Sequence, residues 1–67
     1  MKSSIIENLI NGNLKDAKYS AKYVSAGKLI EAAMGYGYNY NEGLLMASYL
    51  KGIIDFQEYC DNMNNRI

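Results

Sequence analysis

Lys15, Lys18 and Lys22 recur at i, i+3 and i+7, the spacing that puts side chains on one face of a helix. Tyr19 and Tyr23 stand beside them, and Lys28 follows. Ammoniums for phosphates, with rings between them on which bases stack, are the chemistry of single-stranded nucleic-acid binding. The solvated side of an amphipathic helix has the same pattern. A second cluster is aromatic. Residues 35–41 read Gly-Tyr-Gly-Tyr-Asn-Tyr-Asn, in a chain with seven tyrosines among 67 residues. Glycine and asparagine favour turns, so the run is expected to break the helical pattern and gather Tyr36, Tyr38 and Tyr40 on a loop. Tyrosine supplies large contact area at low entropy cost plus a hydroxyl, which is the chemistry of a protein-binding surface.

Catalytic chemistry finds little to work with. The chain has no histidine, the commonest general base. Cys60 falls within an apolar stripe, where a thiol is inert packing. Asp55 and Glu58 are paired carboxylates, but their spacing is that of a helix cap. With Asp61 they make an acidic stripe, which could meet the lysine stripe within one molecule or across a dimer. Gly-Tyr-Gly lacks the Lys-Ser/Thr that follows in a phosphate-binding loop. One cysteine without histidine makes neither an internal disulfide nor a zinc site of the usual Cys/His kind. The expectation is no enzyme, no catalytic residue, no cofactor and no metal.

The totals bound the rest. Residues 1–67 are expected to form one helical domain. A chain of this size buries only ~60% of the surface its unfolded form exposes, so oligomerisation or unusually good helix packing is expected to support the core. Seven basic and seven acidic side chains give a formal charge of zero, against strong general affinity for nucleic acid or anionic membrane. No apolar run approaches the ~18–20 residues that span a bilayer. Glu7 interrupts the stretch where a signal peptide would be apolar, and the lone thiol fits a reducing compartment. A cytoplasmic protein is expected. Abundant Asn, Lys, Ile and Tyr with scarce Arg point to AT-rich coding DNA, as in a low-GC bacterium or a phage.

Helix-start chemistry divides the chain. Ser4 with Glu7 forms a capping box opening a helix at about 4–11, which Gly12 stops. Asn13 caps a second helix, about 14–24, with Leu14, Ala17, Ala21 and Val24 on one face. Ser25 caps a third, about 26–34, burying Leu29, Ile30, Ala33 and Met34, with Val24 and Leu29 as a hydrophobic staple. The alternative is one bent helix across 14–34, since Gly27 weakens a helix by only ~1 kcal/mol. After the tyrosine loop, Asn41 caps a helix of about 42–51 with Tyr40 and Leu45 as staple; it carries Leu44, Leu45, Met46, Tyr49 and Leu50, and Gly52 ends it. Asp55 and Glu58 then form a capping box, with Ile54 and Tyr59 as staple. The last helix, about 56–65, aligns Phe56, Tyr59, Cys60 and Met63. The fold class is all-α, with four or five short helices.

Residues 52–59, Gly-Ile-Ile-Asp-Phe-Gln-Glu-Tyr, resemble the second half of an EF-hand calcium loop and its exiting helix. In that family the glycine makes the sharp turn and the glutamate is the bidentate ligand. The resemblance covers eight residues. Placing Gly52 and Glu58 on those roles puts Ala47, Tyr49 and Lys51 at the first three ligand positions, where none offers a carboxylate or amide. Calcium binding is not expected. The same stretch is similar to the connection of short helical-hairpin domains, a turn followed by a cap, which implies structure and no activity.

The function expected from these residues is a small non-enzymatic interaction module, an adaptor or inhibitor that binds another protein, phage-encoded and directed at host machinery. Tyr36 and Tyr38 are its expected contacts, aided by Tyr19 and Tyr23, while Tyr40 is expected to be structural. One alternative is a weak nucleic-acid binder using Lys15, Lys18, Lys22 and Lys28. The other is a structural subunit that works as a homo-dimer or higher oligomer.

Overall fold

A computed structural model describes residues 4–64, which form five helices: α1 (Ser4–Ile10), α2 (Leu14–Ala21), α3 (Ala26–Gly35), α4 (Tyr40–Leu50) and α5 (Phe56–Asn64). The described residues include no strand and fill about 28 × 22 × 20 Å. The fold is all-α, as expected, and α2 and α3 are separate helices rather than one bent rod.

The stops repeat one device. After α1, the Gly12 N–H donates to the Leu9 carbonyl at 3.2 Å and the Asn13 N–H to the Asn8 carbonyl at 2.8 Å. After α4, Gly52 and Ile53 donate to Tyr49 and Ser48 at 3.0 and 2.9 Å. Each pair closes two orphan carbonyls of a helix end, and each needs a residue of positive φ, met by Gly12 at 85° and Gly52 at 77°. The α3 end follows suit through Gly37 and Tyr38. α2 has no such glycine. Its end tightens instead, as the Lys22, Tyr23 and Val24 N–H groups donate three residues back at 3.2–3.3 Å. It therefore ends at Ala21, three residues before the expected boundary.

Two of the five starts follow the expected caps, and three are corrected. The Ser25 hydroxyl accepts from the Lys28 N–H at 3.3 Å, and an Asp55 carboxylate oxygen accepts from the Glu58 N–H at 2.8 Å. The cap of α4, however, is Asn39 and not Asn41. Asn39 puts Glu42 at the third helical position, and the two residues bond each other's backbone N–H at 2.8 Å. Asn41 in that role would put Leu44 there, which has no acceptor. Asn13 precedes α2 but its side chain caps nothing; its side-chain amide donates to the side-chain oxygen of Asn8 at 3.3 Å. Ser4 already lies inside α1, so whatever caps that helix falls outside the described residues.

The core joins Ile6 and Leu9 of α1, Ala17 and Ala21 of α2, Leu29 and Ala33 of α3, and Met46, Ala47, Tyr49 and Leu50 of α4. Its tightest seam is α3 on α4. A Cβ on Gly43 would lie 3.2 Å from Ile30 Cγ2 and 3.3 Å from the Ile30 carbonyl oxygen, so this glycine sets how closely the two helices approach. Met34, expected to be buried, is exposed, as is Leu44. α5 packs on α4 and buries none of its residues fully. It is held by aromatic contacts: Tyr59 stacks on Tyr49 at 5.1 Å between ring centroids, and Phe56 meets Tyr49 edge-on at 5.6 Å. Such pairs add about 0.5–1.5 kcal/mol each beyond the area they bury.

Candidate functional site

The run at 35–41 is shorter as a loop than expected. Gly35 closes α3, Tyr40 and Asn41 open α4, and only residues 36–39 connect them. Its rings divide against expectation. Tyr36 and Tyr38, expected as partner contacts, are half-buried and pack against the core. The Tyr36 phenol is raised above its ordinary value, by desolvation first and then by the charge and hydrogen bond of Glu7, to which its hydroxyl donates. Tyr40, expected to be structural, is 57% exposed. A Tyr40–Leu45 staple belongs to an Asn41 cap, which the chain does not use.

Across the molecule the seven tyrosines sort by element. Tyr49 is buried, Tyr36, Tyr38 and Tyr59 are half-buried, and Tyr19, Tyr23 and Tyr40 are exposed. Partial burial pushes the Tyr59 phenol up to about 12, assisted by the neighbouring Tyr38, Cys60 and Tyr49. Cys60, expected in the core, is a half-buried free thiol.

Tyr19 and Tyr23 form a pair on the outer flank of α2 and the turn that ends it. They are 62% and 77% exposed, with ring centroids 6.0 Å apart at an interplanar angle of 75°. The Lys22 ammonium sits 5.5 Å above the Tyr19 centroid. A little further round the helix, the Lys18 ammonium lies 4.7 Å from the Tyr49 centroid. These two lysines are brought to a third that the periodicity of α2 does not include. Lys51, at the end of α4, donates its ammonium to the Ala21 carbonyl at 2.8 Å across a separation of 30 residues. That bond satisfies a carbonyl at the end of α2 and places a cation at the negative end of its dipole.

Lys18, Lys22 and Lys51, with Leu50 and Gly52, line a shallow depression of about 350 Å³. Lys15 and Lys28 do not line it. The acidic stripe of Asp55, just before α5, and Glu58 and Asp61 within it is exposed. Among the described residues it forms no ion pair with the lysines. Sequence periodicity carries the Lys18–Lys22 half of this arrangement. The Lys51 half has no local signal, because it depends on where α4 ends relative to α2.

Around Glu58, the would-be calcium ligand, the local structure is that of a helix cap. Ala47 and Tyr49 are buried, and Lys51 faces the α2 carbonyl. Among the described residues no group of three or more Cys, Asp or Glu is placed to hold a metal ion, and no helix is long and apolar enough to cross a membrane. No family model, no curated protein and no solved structure matches this chain.

Proposed function

We propose that the chain is a small non-enzymatic interaction module that binds another protein through the outer flank of α2. Tyr19 and Tyr23 are its anchors, with Lys18, Lys22 and Lys51 beside them. The observation that carries this reading is the exposed edge-to-face pair at 6.0 Å. Neither ring is needed to cover the core, and the pair is pre-arranged, so little side-chain entropy is lost when a partner covers it. Buried rings flanked by charged groups are the usual anatomy of an interface hot spot. An adaptor or inhibitor, phage-encoded and acting in a host cytoplasm, is the type that size and composition favour.

The test is capture of the partner from a low-GC bacterial lysate, followed by calorimetry on the purified pair. Replacing both Tyr19 and Tyr23 by alanine is expected to weaken binding by about 100-fold, two hot-spot losses of modest size, without altering the helical circular-dichroism spectrum. Unchanged affinity would end this reading. The convergence of three lysines favours one second reading, a contact to nucleic acid. It is separated by salt: several phosphate contacts make affinity fall steeply with ionic strength, whereas a tyrosine-led contact changes little.

A further inference from the structure

The C-termini of α2 and α4 meet at the depression lined by Lys18, Lys22, Leu50, Lys51 and Gly52. Two helix ends bring about half a negative charge each, and three ammoniums bring three positive ones. About two positive charges therefore remain uncompensated, because none of the three lysines is ion-paired among the described residues. The donors are largely unspent as well. An ammonium has three N–H groups. Lys51 uses one on the Ala21 carbonyl, and Lys18 and Lys22 rest near ring faces.

We propose that this depression binds a phosphate monoester in its dianionic form, the phosphate of a phosphorylated serine side chain. The surplus of about two charges matches a dianion, and lysines acting as point charges suit terminal phosphate oxygens. A diester carries one charge and gives two of its oxygens to carbon, so it is the poorer fit. The site goes beyond the partner-binding reading and is tested separately, since that reading turns on Tyr19 and Tyr23 and this one on the lysines.

The experiment is a two-dimensional amide NMR titration of the full chain with N-acetyl-phosphoserine amide. Saturable shifts at residues 18, 22, 51 and 52, with a dissociation constant on the order of 1 mM, are expected at pH 7.5. Dropping to pH 5 should weaken binding about tenfold, because the second ionisation of a phosphoester lies near 6. The chain has no histidine to titrate in that interval. K22Q should weaken binding about tenfold, whereas K15Q, the same charge change on the same helix outside the depression, should change it less than twofold. Lys22 makes no side-chain hydrogen bond among the described residues, and an unchanged melting temperature confirms that K22Q folds. Absence of saturable shifts, equal losses in K15Q and K22Q, or equal binding of dimethyl phosphate would each overturn the proposal.

Discussion

Tyr59 shows how a single side chain reports its surroundings. Its phenol is raised to about 12 by partial burial and the adjacent Tyr38, Cys60 and Tyr49. A group held protonated more tightly in the folded chain lends stability below its unfolded value, near 10, and loses it as the pH rises through its folded value. The window is therefore about pH 10 to 12. A two-unit shift corresponds to about 2.7 kcal/mol, but with half the group in water on the order of 1 kcal/mol is expected. Urea unfolding at pH 9 and pH 12 should show wild type losing that much more stability than Tyr59→Phe. An identical pH dependence would mean the phenol is not held this way. The place of Tyr59 on the apolar stripe of α5 is legible in the sequence, but its stacking on Tyr49 is not, because that depends on how two helices cross.

At the scale of elements, the caps and the α3–α4 seam make opposed demands. Asn39→Ala removes one half of a reciprocal cap and should lower stability by about 1 kcal/mol, while Asn41→Ala, inside the first turn and exposed, should change it by less than half that. Equal effects in denaturant melts would contradict the assignment of the cap. The Asn39-x-x-Glu42 spacing was present in the sequence and outranks Asn41 for a physical reason, since it satisfies two donors where Asn41 satisfies one at most. Glycine substitutions probe the seam. Gly27→Ala meets nothing within 4 Å and gains helix propensity, so it should stabilise by about 0.5–1 kcal/mol. Gly43→Ala gains the same propensity but presses on the backbone of Ile30, which cannot swing aside as a side-chain tip can. Overpacking of about 1–3 kcal/mol should win, leaving a net loss of about 1 kcal/mol. A Gly43→Ala protein as stable as Gly27→Ala would show that the two helices separate freely.

For the whole molecule, the question is which surface is left over once the core is filled. Four of the seven tyrosines are buried or pack against the core, and the exposed pair Tyr19 and Tyr23 belongs to α2 and the turn that ends it, not to the aromatic run that stands out in the sequence. If the outer flank of α2 is the working face, the Tyr19/Tyr23 double alanine variant should unfold cooperatively at close to the wild-type temperature while losing its partner. A large fall in melting temperature would mean that the rings support the fold instead. The helical class, the glycine stops and the Ser25 and Asp55 caps are legible in the chain alone, because each is a contract among residues at most five apart. Helical periodicity, local too, marks Lys15, Lys18 and Lys22 as one flank with Tyr19 and Tyr23 beside them, although Lys15 does not line the depression. Tertiary structure alone decided that Tyr36 and Tyr38 turn toward the core while Tyr40 faces water, and that Lys51 crosses 30 residues to reach the end of α2. Those outcomes follow from how closely helices approach at Gly43 and where their ends meet, quantities that no short window of residues contains.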